Sequence, residues 1–158
     1  MRPQLPQETA AMFKRILLPT DGSELSGKAA TMAIALAKTH GAVLIALHVF
    51  PHLPGAHHGA AAPFLKQLEG GYEKGQSAEA KEMLKAIVDE AAAAGVATET
   101  VVIESEDIHS RIIEVAAQRG CDLICMATHG RSELAAVVLG SVTHKVLTGS
   151  PVPVLVVR

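Results

Sequence analysis

Lys14-Arg15-Ile16-Leu17-Leu18-Pro19-Thr20-Asp21-Gly22-Ser23 holds an apolar run too short for a helix, stopped by proline and then by a polar, glycine-bearing turn. That pattern reads as a buried β-strand and a loop after it. Asp21 or Ser23 can cap the next helix, and Asp21 with Glu24 has capping-box spacing. From Ser23 to His40, Ala29, Met32, Ala33, Leu36 and Ala37 recur at helical spacing, and Gly41 closes the helix. Val43 to Phe50 is the next strand, apolar almost throughout, as strands covered on both faces are. Strand, turn, helix and strand make the first unit of an α/β protein.

The alternation continues outward. Pro51 to Gly71, rich in Pro, Gly, Ala and His, reads as a loop or lid. Ser77 to Ala94 forms a helix with Ala80, Met83, Leu84, Ile87, Val88 and Ala91 on one stripe, ended by Gly95. Thr98 to Ile103 is a strand, Ile108 to Gln118 a helix and Asp122 to Ala127 a strand. A last helix starts near Gly140-Ser141, and Val152 to Val157 is a fifth strand. Such alternation predicts a single open parallel sheet with helices on both faces and right-handed crossovers. Met1 to Met12 carries two prolines and no periodic pattern. It is expected to be a flexible tail, with one domain over residues 13–158.

Composition narrows the function classes. The chain has 158 residues, 49% of them apolar and 19% charged, enough to bury a single core and too apolar for a disordered tail. The formal net charge of −2 gives no basic excess for nucleic acid or an anionic membrane. With 3% aromatics and no Trp, there are no stacking platforms for single strands. No apolar run reaches the length of a membrane span, and the first residues hold no apolar signal segment. Cys121 and Cys125, in or just before a strand, lie about 13 Å apart in extended chain, too far for a disulfide. Two buried thiols in a reducing compartment fit best, so a cytoplasmic protein is expected.

In an open parallel sheet, ligands bind beyond the carboxyl ends of the strands, where strand order reverses. Two strand ends carry suitable residues: Pro19-Thr20-Asp21-Gly22, and Ala127-Thr128-His129-Gly130-Arg131-Ser132 leading to Gly140-Ser141. Gly130 lets the backbone approach an anion. Gly140-Ser141 opens a helix, whose first N–H groups and dipole favour negative charge. Ser141 adds a hydroxyl, and His129 and Arg131 can add charge. If the first and fourth strands are neighbours, both loops face one crevice.

These segments resemble the universal stress protein family. The stretch from Lys14 to Ser23 is similar to its opening strand, and Leu47-His48-Val49 to its second. Asp122 to Ser132, Leu139-Gly140-Ser141-Val142 and Pro151 to Val157 are similar to its C-terminal third. The resemblance implies a Rossmann-like five-stranded sheet in the order 3-2-1-4-5, with the first and fourth strands side by side. It also implies a homodimer paired through the last strand. The ATP-binding branch of the family carries Gly, two residues, Gly, nine residues, then Gly and Ser or Thr. Here nine residues, Arg131 to Leu139, stand between Gly130 and Gly140-Ser141.

By that resemblance the protein is an ATP-binding stress-response regulator, with Mg2+ or Mn2+ carried on the phosphates. Pro19, Thr20 and Asp21 would line the adenosine, Asp21 accepting from ribose hydroxyls. Val49 would meet adenine through its backbone, and Met126 would pack on the nucleoside. Ala127, Gly130, Arg131, Gly140, Ser141 and Val142 would surround the phosphates. Ala127 departs from the family's glycine. A negative φ there would add one methyl; a positive φ would cost roughly 1–2 kcal/mol. Weakened ATP binding is therefore expected. Glu106-Asp107 stands where the family commonly has Gly, and the two acids would repel a phosphate or hold its cation.

Other signals are set aside. Gly22 to Lys28 has P-loop spacing, but Ala29 supplies no hydroxyl for a cation and the helix begins before Gly27. His52, His57 and His58 read as solvated loop residues, His48 as a satisfied core histidine and Ser141 as a helix cap and phosphate donor. No triad is evident. A slow ATPase or phosphoryl transferase using Asp21, His129 or Glu106 is the enzymatic alternative, and a structural dimer with a decayed site is the third.

Overall fold

The computed structural model describes residues 11–52, 62–130 and 139–158, and only the backbone of 62–65. The expected N-terminal tail thus lies almost wholly outside the described residues, as do Arg131, His57 and His58. The elements run β1 (Arg15–Pro19), α1 (Glu24–His40), β2 (Val43–Phe50), α2 (Ala62–Ala93), β3 (Thr98–Glu104), α3 (Ile108–Gln118), β4 (Leu123–Ala127), α4 (Ser141–Gly149) and β5 (Val154–Val157). The strands form one parallel sheet in the order β3-β2-β1-β4-β5.

Alternation along the strands divides the core into two layers. Ile16, Leu18, Leu44, Ala46, Leu123 and Cys125 face α1 and α2, packing on Ala29, Ala33, Leu84 and Ala91. Leu17, Ile45, Leu47, Ile124 and Met126 face α3 and α4, packing on Ile112, Val115, Ala116 and Val146. Ile16, Leu17 and Leu18 are fully buried, so both faces of β1 are covered, which explains its unbroken apolar run. Each such side chain contributes about 1.5–3 kcal/mol through burial.

Local signals set the ends of α1. Ser23 is its N-cap, the hydroxyl accepting from Ser26 N–H at 3.2 Å, while Asp21 Oδ1 accepts from Ser23 N–H at 3.0 Å. Gly22 takes φ +74° in the turn between them, and Gly41 takes φ +63° at the C-cap; both are conformations that favour glycine. Gly27 and Lys28 lie inside α1, so the P-loop spacing is a coincidence of a helix.

One expectation is corrected. The stretch 51–71 is not loop throughout, because α2 begins at Ala62 rather than near Ser77. Gly70 and Gly71 counted toward the loop reading and Gly75 follows them, yet a Cβ at any of the three would meet no neighbour. Their helical penalty of about 1 kcal/mol each relative to Ala is borne by a helix anchored further on through Ala80, Leu84, Ile87 and Ala91. Pro63 falls in the first turn, where its missing N–H costs no helical bond, and Tyr72 Oη donates to the Pro51 carbonyl at 3.3 Å. β5 also starts two residues later than expected, at Val154. Its neighbour Ser150 forms a local turn in which its hydroxyl donates to Val152 C=O and accepts from Val152 N–H.

Candidate functional site

The reversal of strand order falls between β1 and β4. Their ladder is short, with register pairs only at Ile16–Leu123 and Leu17–Ile124. Arg15 C=O accepts from Asp122 N–H, so by alternation Arg15, Leu17 and Pro19 are the β1 residues that address β4. Pro19 has no N–H to give, the ladder cannot continue, and the strands part. A cleft of about 750 Å³, open mouth included, occupies the gap.

Ten of the eleven candidate residues line this one cleft: Pro19, Thr20, Asp21, Val49, Met126, Ala127, Gly130, Gly140, Ser141 and Val142. Arg131 lies outside the described residues. His129 lines it as well, as do Ser26, Leu47, Ile108, Ile112 and Thr143, which sequence reasoning did not single out. Leu47 and Ile112 belong to the same apolar layer as Met126. Their signal was the i, i+4 spacing of Ile108 and Ile112 at the start of α3, and the alternation that puts Leu47 on the same face as Val49.

The polar floor is built by the β1–α1 turn. Thr20 and Ser26 are buried. Thr20 Oγ1 donates to Ser26 Oγ at 3.0 Å, and Ser26 Oγ donates to Ser23 C=O at 2.9 Å. Gly22 N–H in turn donates to Thr20 Oγ1 at 3.3 Å. This chain of bonds fixes the backbone that carries Asp21.

Across the cleft, Gly130 abuts Asp21. A Cβ built at Gly130 would collide with the Asp21 carboxyl group and make it shift, so close approach to that side chain favours glycine here, and not φ, which is not positive. Gly140 is the N-cap of α4, extended at φ −68°, ψ 157°, and offers no side-chain cap. Ser141 is therefore the first helical residue and not the cap. The α4 start is tied to β4: Gly140 N–H donates to Thr128 C=O at 2.7 Å, and Thr143 Oγ1 donates to Ala127 C=O at 2.9 Å.

Ala127 lines the cleft without backbone strain. No described non-glycine residue has positive φ, and its methyl joins the layer with Cys125 and Ala30 beneath α1, opposite the layer of Met126 and Leu47. Glu106 and Asp107 do not line the cleft. Glu106 Oε1 accepts from His52 N–H at 2.8 Å. Asp107 caps α3 through Ser110 N–H and pairs with His109 at 2.7 Å; its bonds to Ser110, chiefly, hold its carboxyl below the usual range. His52 pairs with Glu104 at 2.8 Å, and among the described residues no cluster is composed to hold a metal ion. Nor, among them, is any helix long and apolar enough to cross a membrane. Cys121 and Cys125 are free and buried, and burial pushes both thiols up to about 11.

Comparison with known proteins gives the same picture along the chain. The universal stress protein YxiE of Bacillus subtilis is 34% identical over 154 residues, covering 93% of this chain and 100% of its own. The structure of MJ0577, a universal stress protein of Methanocaldococcus jannaschii, superposes with a TM-score of 0.79 at 30% identity, over 92% of this chain and 96% of that one. A universal stress protein solved in complex with cAMP superposes at 0.67 with 26% identity, over 92% and 97% of the two chains. The profile of the universal stress protein family matches residues 12–158. With the 3-2-1-4-5 sheet in place and near full-length relatives on either side of it, the chain belongs to the universal stress protein family.

Proposed function

We propose that the protein binds an adenine nucleotide, ATP in the first instance, in the crevice between β1 and β4, and acts as a stress-response regulator rather than through a chemical step. The observation that carries this reading is the convergence of two sequence-distant loops on one cleft, with Gly130 packed against Asp21 and the start of α4 at Gly140-Ser141 on the same cleft. The residues suit such a ligand. Leu47, Val49, Ile108, Ile112 and Met126 supply an apolar wall for a base. Asp21 is a carboxylate acceptor suited to ribose hydroxyls. The start of α4 favours phosphate through its N–H groups and dipole. The likeness to a relative solved with cAMP supports an adenine ligand.

Among the described lining residues there is one carboxylate and no Lys or Arg. Neutralising a triphosphate then falls to the helix terminus, to Arg131 and to a divalent cation, Mg2+ or Mn2+, held on the phosphates. A cytoplasmic homodimer completes the reading. Calorimetric titration with MgATP tests it: saturable binding by the wild type and loss of that binding in Gly140→Val are expected. Equal binding by both proteins would remove the phosphate-loop assignment.

A further inference from the structure

The β1–β2 ladder ends in an unusual way. In a parallel pair, a residue turns its N–H and C=O to the same neighbour, and the bonds are evenly spaced. Val43 N–H donates to Lys14 C=O, and Thr20 N–H donates to Leu47 C=O at 2.9 Å. Odd-numbered residues of β2 therefore address β1, and the next bond of the ladder would run from Val49 N–H to Thr20 C=O. That bond is absent, and among the described residues Val49 N–H has no backbone partner. The Thr20 carbonyl is taken instead by the His48 ring, at 2.8 Å from Nδ1. A carbonyl only accepts, so Nδ1 carries the proton. His48 belongs to the opposite face of the sheet from Leu47 and Val49, with its ring stacked near Phe50 at 6.3 Å between centroids.

We infer that His48 is a positioning residue that ends the β1–β2 ladder one bond early and so leaves the Val49 N–H, beside its own C=O, to a ligand's base. Val49 lines the cleft, and its exposed donor–acceptor edge matches an aromatic base that offers a ring-nitrogen acceptor beside an exocyclic amino donor. An adenine base presents that pair. A hypoxanthine base presents N–H and carbonyl in their place. His48 thus sets base selectivity without touching the ligand. This inference rests on the nucleotide reading for its ligand, but its structural half stands alone.

The test has two arms. In hydrogen–deuterium exchange on the ligand-free wild type, the Val49 amide is expected to exchange at least about a hundredfold faster than the Leu47 amide, which lies within the paired register. In His48→Leu, Thr20 C=O is released to Val49 N–H, and the Val49 amide becomes protected without ligand. In titrations, His48→Leu is expected to bind ATP about tenfold more weakly, one net hydrogen bond's effect, and to lose the preference for ATP over ITP. His48→Asn, whose side-chain N–H can take the place of Nδ1–H, restores both. A Val49 amide already protected in the ligand-free wild type would overturn the inference, and so would a wild-type ATP/ITP ratio in His48→Leu. Equal loss in the Leu and Asn variants would also overturn it, by making His48 merely structural. If the wild type bound no adenine nucleotide, the functional reading would fall, while Val49 exchange would still decide whether His48 ends the ladder. Should His48→Leu not fold, the wild-type exchange and His48→Asn decide the matter.

Discussion

Gly130 shows how a single position carries both structure and site. Its Cα lies where any side chain would strike the Asp21 carboxyl group, so Gly130→Ala must push Asp21 or the loop aside. What gives way is the free end of the Asp21 side chain, so the expected pair of results is a nearly unchanged Tm and, with the carboxylate displaced, a weaker MgATP titration. Ala127→Gly is expected to do the reverse of what motif matching implies. It removes a methyl from the layer beneath α1, so stability falls while nucleotide affinity is unchanged, as thermal melts and titration can show. The two cysteines give a third check. With both thiols raised to about 11, roughly a thousandth is thiolate at pH 8, so a thiol reagent should label the native protein only as it unfolds. Most of the cleft residues were legible because two polar, glycine-bearing loops follow strands of one parallel sheet, and the family resemblance added Val49 and Met126. Ser26, Leu47, Ile112 and Thr143 were not, because their part depends on which face of an element looks into the cleft.

At the scale of the elements, short apolar runs bounded by Pro, Gly or Asp mark the strands well, since two-sided burial leaves little freedom in composition. α1 was equally plain, with Ser23 before it and Gly41 after it. α2 was half hidden. Three glycines and a proline weaken the local helical signal, and only the packing of the later turns, which composition does not display, carries the helix back to Ala62. The caps make a direct test: Ser23→Ala removes the acceptor for Ser26 N–H and is expected to cost about 1 kcal/mol, measured by urea unfolding. Because Ser26 also holds Thr20, that variant should loosen the cleft floor as well.

The whole molecule adds two features that no single element has. One is the ion-paired seam at the amino-terminal end of the sheet, where Glu99 bridges Arg15 at 2.8 Å and Arg119 at 3.0 Å. The Arg15 hydrogen bond, chiefly, lowers the Glu99 carboxyl below its ordinary 4.5. A lowered folded value means stability that is present above the unfolded value and lost as pH falls through the folded one. The stability difference between wild type and Glu99→Gln should therefore shrink as the solution is acidified below about pH 4.5. The other is the edge at β5. Pro153 and Val157 carbonyls accept from β4 and from the residue after it, so Val154 and Val156 turn their N–H and C=O groups outward. Such an edge suits a second copy of the chain. Val154→Pro removes an outward donor without touching the β4 ladder; if the proposed homodimer pairs through this edge, sedimentation should show dimer for the wild type and monomer for the variant. The nucleotide itself is decided most directly by a crystal structure grown with MgATP. Adenine against the Val49 edge, with phosphates at Gly130 and the start of α4, is the expected density. A nucleotide bound elsewhere, or an empty crevice at saturating ligand, would contradict it.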